Sequence, residues 1–159
     1  MGVSGAGKTE IGRALSVAIG WPFYDADERH SLDNIEKMHR GEGLTDVDRG
    51  PWLDKLRELT SDAFASGRCM VLGCSALKES YRERIRPLGA PRDALRFVYL
   101  DVPRAVLEER LRTRHGHFAT AALLDSQLGT LEVPHDAVWV DGAAPPDAIV
   151  RRVRDALGV

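Results

Sequence analysis

Short apolar runs alternate along this chain with stretches whose apolar positions recur at helical spacing. That alternation predicts an α/β fold, a parallel sheet wrapped by helices. The first helix is expected from about Lys8. Ile11, Leu15, Ala18 and Ile19 form its apolar stripe and Gly20 can end it. A short strand follows from Pro22 to Asp25. A helix from about Ser31 to Arg40 has a serine cap and a stop at Gly41. A longer helix is expected from about Asp48 to Ser66, with Trp52, Leu56, Leu59, Ala63 and Phe64 on its buried face. Cys69 to Cys74 reads as a buried strand. A helix from about Lys78 to Arg86 and a strand from Arg96 to Leu100 come next. Helices from about Arg104 to Arg114 and Thr120 to Leu131 precede a last strand, Ala137 to Val140. Ile149, Val150, Val153 and Leu157 mark a C-terminal helix. Trp52, Phe64, Phe97, Tyr99 and Trp139 all fall at apolar positions and are expected in the core.

Composition narrows the class. The 159 residues suit one domain spanning 1–159. A net charge of −2 argues against non-specific nucleic-acid binding, which needs a positive field. No stretch approaches the ~20 apolar residues of a membrane span. Cys69 and Cys74, expected on opposite faces of one strand, are poor disulfide partners. Both are expected to be reduced and buried, which suits a cytoplasmic enzyme. His39, His117 and His135 are scattered without metal-ligand spacing.

The strongest chemical signal is G-V-S-G-A-G-K-T: Gly2, Val3, Ser4, Gly5, Ala6, Gly7, Lys8 and Thr9. It matches the phosphate-binding pattern G-x-x-x-x-G-K-[ST]. Glycines let the backbone curl so that several N–H groups point at one centre. The helix that follows adds its free N–H groups and the positive end of its dipole. Lys8 is placed to reach the β- and γ-phosphates of ATP, and the Thr9 hydroxyl to ligate Mg²⁺.

Such a loop should follow a buried strand, yet only Met1 precedes Gly2. About five missing apolar residues would forfeit on the order of 8–15 kcal/mol of burial. That matches the whole stability of a domain, ~5–15 kcal/mol. The expectation is therefore that the biological chain begins several residues earlier. Met1 would then be an internal methionine ending that strand, and the sequence as it stands should show a weakened sheet centre or an exchanged segment.

A phosphate loop fixes the donor and leaves the acceptor open. The next strand ends in Asp25-Ala26-Asp27, where the C-terminal strand ends of a parallel sheet line a ligand crevice. Carboxylates there could hold Mg²⁺ or take a proton from an acceptor hydroxyl. A solvated turn with an aspartate cap is the alternative.

The segment from His30 to Leu53 closely resembles the gluconokinase family. The matching residues are Asn34, Ile35, Lys37, Met38, Gly41, Leu44, Asp46, Asp48, Arg49, Pro51, Trp52 and Leu53. The likeness continues in Cys74 to Lys78, with Tyr81 and Arg82, in Arg114 to Phe118, and in Ser126 to Pro134. It covers nearly the whole chain. Three departures stand out: Ala26 for a usual glycine, Ser31 where proline often follows the histidine, and His115 for a common lysine.

The resemblance implies ATP-dependent phosphorylation of D-gluconate to 6-phosphogluconate, and commonly a homodimer. It also implies a three-layer, shikimate-kinase-like P-loop kinase fold, with five parallel strands in the family and the first apparently missing here. A substrate-binding helical region is expected over about 28–66 and a lid over about 112–130. By analogy, Asp27 is the base or orienter for the acceptor hydroxyl and Asp25 supports Mg²⁺. A polyhydroxy acid needs a cation and several polar groups. Arg49, Lys78 and Arg82 are the candidate cations, with His30 as a hydrogen-bond partner. Arg110 and Arg114 lie four apart on one helical face before Gly116. They suit a closing lid that brings positive charge to the transferring group. The alternative is a basic helix end complementing the dipole. A kinase for another small acceptor, such as shikimate, and a nucleotide-binding module without turnover remain the rival functions.

Overall fold

The computed structural model describes residues 1–113 and 121–159. In chain order the elements are α1 (Lys8–Ile19), β1 (Phe23–Asp25), α2 (Leu32–His39), α3 (Asp46–Ala65), β2 (Val71–Gly73) and α4 (Glu79–Arg84). They continue as β3 (Val98–Asp101), α5 (Arg104–Thr113), α6 (Ala121–Thr130), β4 (Val138–Asp141) and α7 (Pro146–Leu157). The expected order of helices and strands is therefore present.

Among the described residues both strand pairs are parallel, as the alternation of strands and helices implies. β1 pairs with β2, placing Phe23 opposite Val71 and Asp25 opposite Gly73. β3 pairs with β4, with Val98 opposite Val138 and Asp101 opposite Asp141. The described strands form two separate pairs, the weakened sheet centre expected from the sequence. The first two residues bridge them. Gly2 N–H donates to the Ser75 carbonyl at 3.3 Å, and Leu100 N–H donates to the Met1 carbonyl at 3.0 Å. An apolar cavity of about 600 Å³, lined by Ile11, Leu15, Leu72, Phe97 and Val98 among others, lies between the pairs.

Two hydrophobic clusters hold the layers together. One joins α1, β3, β4, α5, α6 and α7 through Ile11, Leu15, Leu100, Leu107, Leu124, Val140, Ile149 and Val153. The other packs Trp52, Leu53 and Leu56 of α3 against Ala26, Cys74, Tyr81, Ile85 and Phe97. α1 comes so close to β1 that a Cβ on Gly12 would meet the Phe23 ring at 2.4 Å. Only glycine fits there, and the contact ties the phosphate loop's helix to the strand that carries Asp25.

Several sequence expectations are corrected. α3 begins two residues before Asp48, because Thr45 caps it. The Thr45 hydroxyl accepts from Asp48 N–H and the Asp48 carboxylate accepts from Thr45 N–H, a reciprocal capping box. β2 is only the middle of the expected Cys69 to Cys74 run, and Cys69 is exposed. Cys74 is buried, and burial pushes its thiol up to about 12. Phe64 and Trp139 are partly exposed, at 44% and 46%, rather than core. Trp139 instead meets Tyr99 edge-on and donates its indole N–H to the Pro134 carbonyl at 3.0 Å. Among the described residues, no helix is long and apolar enough to cross a membrane.

Candidate active site

The loop from Gly2 to Gly7 turns through left-handed backbone. Gly5 has φ of 84° and Gly7, capping α1, has φ of 91°. A side chain at either position would be strained whatever the space around it. The loop therefore delivers Lys8 and Thr9 as the first residues of α1, where backbone N–H groups and the helix dipole favour an anion.

Beyond the C-terminal ends of β1, β2 and β4 lies a cleft of about 950 Å³. Its walls include Ser4, Gly5, Ala6, Gly7, Lys8 and Thr9 from the loop and Asp25, Asp27 and His30 from the turn after β1. Arg49, Trp52, Arg110, Gln127 and the Gly142 to Pro146 stretch complete it. Gly2 and Val3 form the base of the loop instead. The Val3 carbonyl accepts from Lys8 Nζ at 3.0 Å.

Asp25 joins the two halves of the site. One carboxylate oxygen accepts from the Thr9 hydroxyl at 2.8 Å, and the other accepts from Asp27 N–H at 3.1 Å. A hydroxyl and a carboxylate thus converge beside the phosphate loop, a hard-oxygen pair of the kind Mg²⁺ takes along with phosphate oxygens and water. Among the described residues no cluster of three or more His, Cys, Asp or Glu forms a protein-only metal cage.

The turn bearing Asp27 is fixed from below. Ala26 is fully buried, and its carbonyl accepts from the Trp52 indole N–H at 2.7 Å. His30 stacks on Trp52 with ring centroids 4.5 Å apart and planes 12° from parallel. Its Nε2 lies 4.0 Å from an Asp27 carboxylate oxygen, and its side chain is 5% exposed against 67% for Asp27. The Asp27 carboxylate is therefore presented to the cleft beside a buried aromatic pair. Burial is the main force on His30 and lowers its pKa; the Arg49 charge adds to this, while Asp27 opposes it.

That shift has a testable sign. The unfolded chain protonates this histidine near the ordinary value of ~6.5, before the folded chain does. Stability carried by the neutral, stacked ring is thus present above that pH and lost as pH falls through the lowered folded value. Melting temperature is expected to drop between pH 7 and 5 in the wild type. The drop should be smaller in His30→Phe, and equal drops in the two proteins would reject the assignment.

The candidate cations separate into three kinds. Arg49 faces the cleft, with its guanidinium 5.5 Å from the Tyr81 ring centroid and Nη1 donating to the Leu44 carbonyl. Lys78 lies outside the lining and is clamped by both Asp46 oxygens at 2.8 Å. The Tyr81 hydroxyl donates to the same carboxylate. Arg82 is buried at 5%, and its Nη1 donates to the carbonyls of Ala76 and Leu77, each at 3.1 Å, and of Glu132 at 2.9 Å. Arg82 therefore stitches backbone segments together through Nη1 and lies outside the cleft lining.

On the donor side, Arg110 donates to the Gly5 carbonyl at 3.2 Å and the Gly142 carbonyl at 2.9 Å. It lies against the phosphate loop. Arg114, expected to share that role, and His115, Gly116, His117 and Phe118 lie outside the described residues. Three contributors escaped sequence reading. The loop after β4 is pinned where Asp141 accepts from Ala143 N–H at 2.9 Å. The rule that C-terminal strand ends line the crevice could have found it. Asp46 and Gln127 had no separate signal beyond their place in the matching motifs.

Comparison with known proteins places nearly the whole chain in a family. A family model described as "AAA domain" matches residues 1–154. The chain is 43% identical over 156 residues to a gluconokinase of Gluconobacter oxydans, covering 96% of this chain and 86% of that protein. The solved gluconokinase of Sinorhizobium meliloti superposes with a TM-score of 0.84 at 42% identity, covering 99% of this chain and 89% of that one. An unliganded sugar kinase of a Janibacter species superposes at 0.89 with 39% identity, covering 100% and 92%. A phosphate loop opening onto an acidic turn, in a chain this similar to those kinases along nearly its whole length, makes the protein a member of the gluconokinase family.

Proposed function

We propose that the cleft transfers the γ-phosphoryl group of ATP to a hydroxyl of gluconate, giving ADP and 6-phosphogluconate. The observation that carries this reading is the continuous wall from the phosphate loop through Asp25 to Asp27, with Arg49 also facing the cleft. In this mechanism the loop N–H groups and Lys8 hold the triphosphate. Arg110 adds a cation against the loop. Thr9 and Asp25 would hold Mg²⁺, whose charge offsets that of the phosphates. Asp27 accepts the proton of the attacking hydroxyl as the new O–P bond forms. The bond from the γ-phosphorus to the bridging oxygen breaks, and ADP leaves with that electron pair. Arg49 pairs with the gluconate carboxylate, and His30 with Trp52 keeps Asp27 in place. Lys78 is the reserve cation, available to the acceptor only if Asp46 yields it.

The helical region from 28 to 66 supplies the acceptor side. The lid of this reading is the expected span of about 112–130, in which Arg114 lies outside the described residues. A homodimer in the cytoplasm follows from the family resemblance. The test is a coupled ADP-release assay with ATP and Mg²⁺. Steady release is expected only when gluconate is added, and much less with shikimate or other polyhydroxy acids. Release independent of gluconate, or faster with another acceptor, would overturn the reading.

A further inference from the structure

Helix α6 touches both sides of the cleft, and one of its side chains occupies a donor of the phosphate loop. Ser4 N–H donates to Gln127 Oε1 at 2.6 Å, across 123 residues of sequence. Both residues line the cleft beside Lys8 and Thr9. The helix is anchored against the core and α5 beside this contact. Leu124 is 1% exposed in the main cluster, and Asp125 pairs with Arg104 of α5.

The same helix reaches the acceptor side. A Cβ on Gly43 would sit 3.0 Å from Ser126 Oγ, so the loop before α3 runs close against the residue next to Gln127. Leu44, the next residue in that loop, lines the cleft and gives its carbonyl to Arg49. Just past α6, the Glu132 carboxylate accepts from Glu79 N–H at 2.6 Å, and Glu132 N–H donates to the Leu77 carbonyl at 2.9 Å. These contacts flank Lys78. The stretch from Ser126 to Glu132 therefore contacts the donor cradle, the loop that holds Arg49, and the start of α4.

We propose that Gln127 is a positioning residue that couples nucleotide binding to acceptor binding, an inference that rests on the gluconokinase reading. Its carboxamide oxygen holds Ser4 N–H until a phosphate oxygen of ATP takes that donor. One N–H cannot make two strong, linear bonds, and an anionic oxygen makes the stronger one. The exchange frees Gln127 and resets α6 against the Gly43–Leu44 loop, and so resets Arg49. By reciprocity, gluconate must then shift the affinity for ATP by the same factor that ATP shifts the affinity for gluconate.

Two variants give opposite signs. Gln127→Ala removes the competitor, so ATP should bind about three- to tenfold tighter, the worth of one net hydrogen bond. Gln127→Glu keeps an acceptor on Ser4 N–H and sets a negative charge against the phosphates, so ATP should bind on the order of tenfold or more weakly. Binding is read by calorimetry with a non-hydrolysable ATP analogue, with melting temperature as the folding control. In the wild type the analogue should change the Kd for gluconate by about fivefold or more, and in Gln127→Ala that ratio should fall close to one. Weaker analogue binding in Gln127→Ala, or an unchanged ratio, overturns the inference while leaving the gluconokinase reading intact. A wild type that binds the analogue but never gluconate overturns both.

Discussion

Asp27→Asn is expected to lower kcat by about 10²- to 10⁴-fold, the usual contribution of a general base, with little change in the affinity for ATP. Asparagine keeps the shape of the side chain but cannot take the proton of the attacking hydroxyl. The fold has little reason to respond. The Asp27 side chain is 67% exposed, and the contact that anchors the turn uses the Asp27 backbone N–H. Glu28, the neighbouring carboxylate on the cleft wall, is the internal rival. Single-turnover rates and nucleotide binding measured for Asp27→Asn and Glu28→Gln separate the two. Full turnover in Asp27→Asn, or a collapse confined to Glu28→Gln, would move the base elsewhere.

Lys8→Ala should be as damaging to kcat, by a different route. Lys8 opens α1, and its ammonium already reaches back over the loop to the Val3 carbonyl at 3.0 Å. A phosphate in the cradle would sit among the loop N–H groups within reach of that ammonium. Removing one neutral donor from a preorganised anion site typically costs about 10²–10³ in kcat. A full positive charge aimed at the transferring group belongs at or above the upper end of that range. Lys8→Arg should not rescue it, because a planar fork on a longer stem cannot replace a point charge inside a tight loop. The measurement is kcat at saturating gluconate together with the Kd for ATP. Activity within about tenfold of the wild type would mean that the cradle works without its lysine.

The two variants probe opposite ends of one cleft, and Asp25 lies between them. Its carboxylate fixes both Thr9 and the backbone of Asp27. Donor and acceptor geometry are therefore coupled through one short turn, and the two substitutions are expected to be far from additive when combined.

Much of the donor site is legible in the sequence because it is local. The phosphate loop is one run of eight residues, Gly2 to Thr9, and its conformation follows from glycine placement and the helix start that comes after it. Asp25 and Asp27 were legible for a related reason: strand ends of a parallel sheet open onto the crevice. Charge alone gave no such guidance for the acceptor side. Arg49, Lys78 and Arg82 look alike as cations in a polar stretch, yet only Arg49 faces the cleft.

The amino-acid sequence by itself determined the alternation of strands and helices, the phosphate loop, the acidic turn and the family resemblance. Each is written in neighbouring residues, through backbone freedom, helical period and spacing. Tertiary structure decided which of these three cations lines the cleft, since Lys78 is held by Asp46 and Arg82 by the Glu132 carbonyl, partners 32 and 50 residues away. It also decided that Met1 and Gly2 bridge the two strand pairs through backbone hydrogen bonds. And it placed Gln127 on the phosphate loop, because a hydrogen bond across 123 residues depends on how α6 packs in the core and on nothing local.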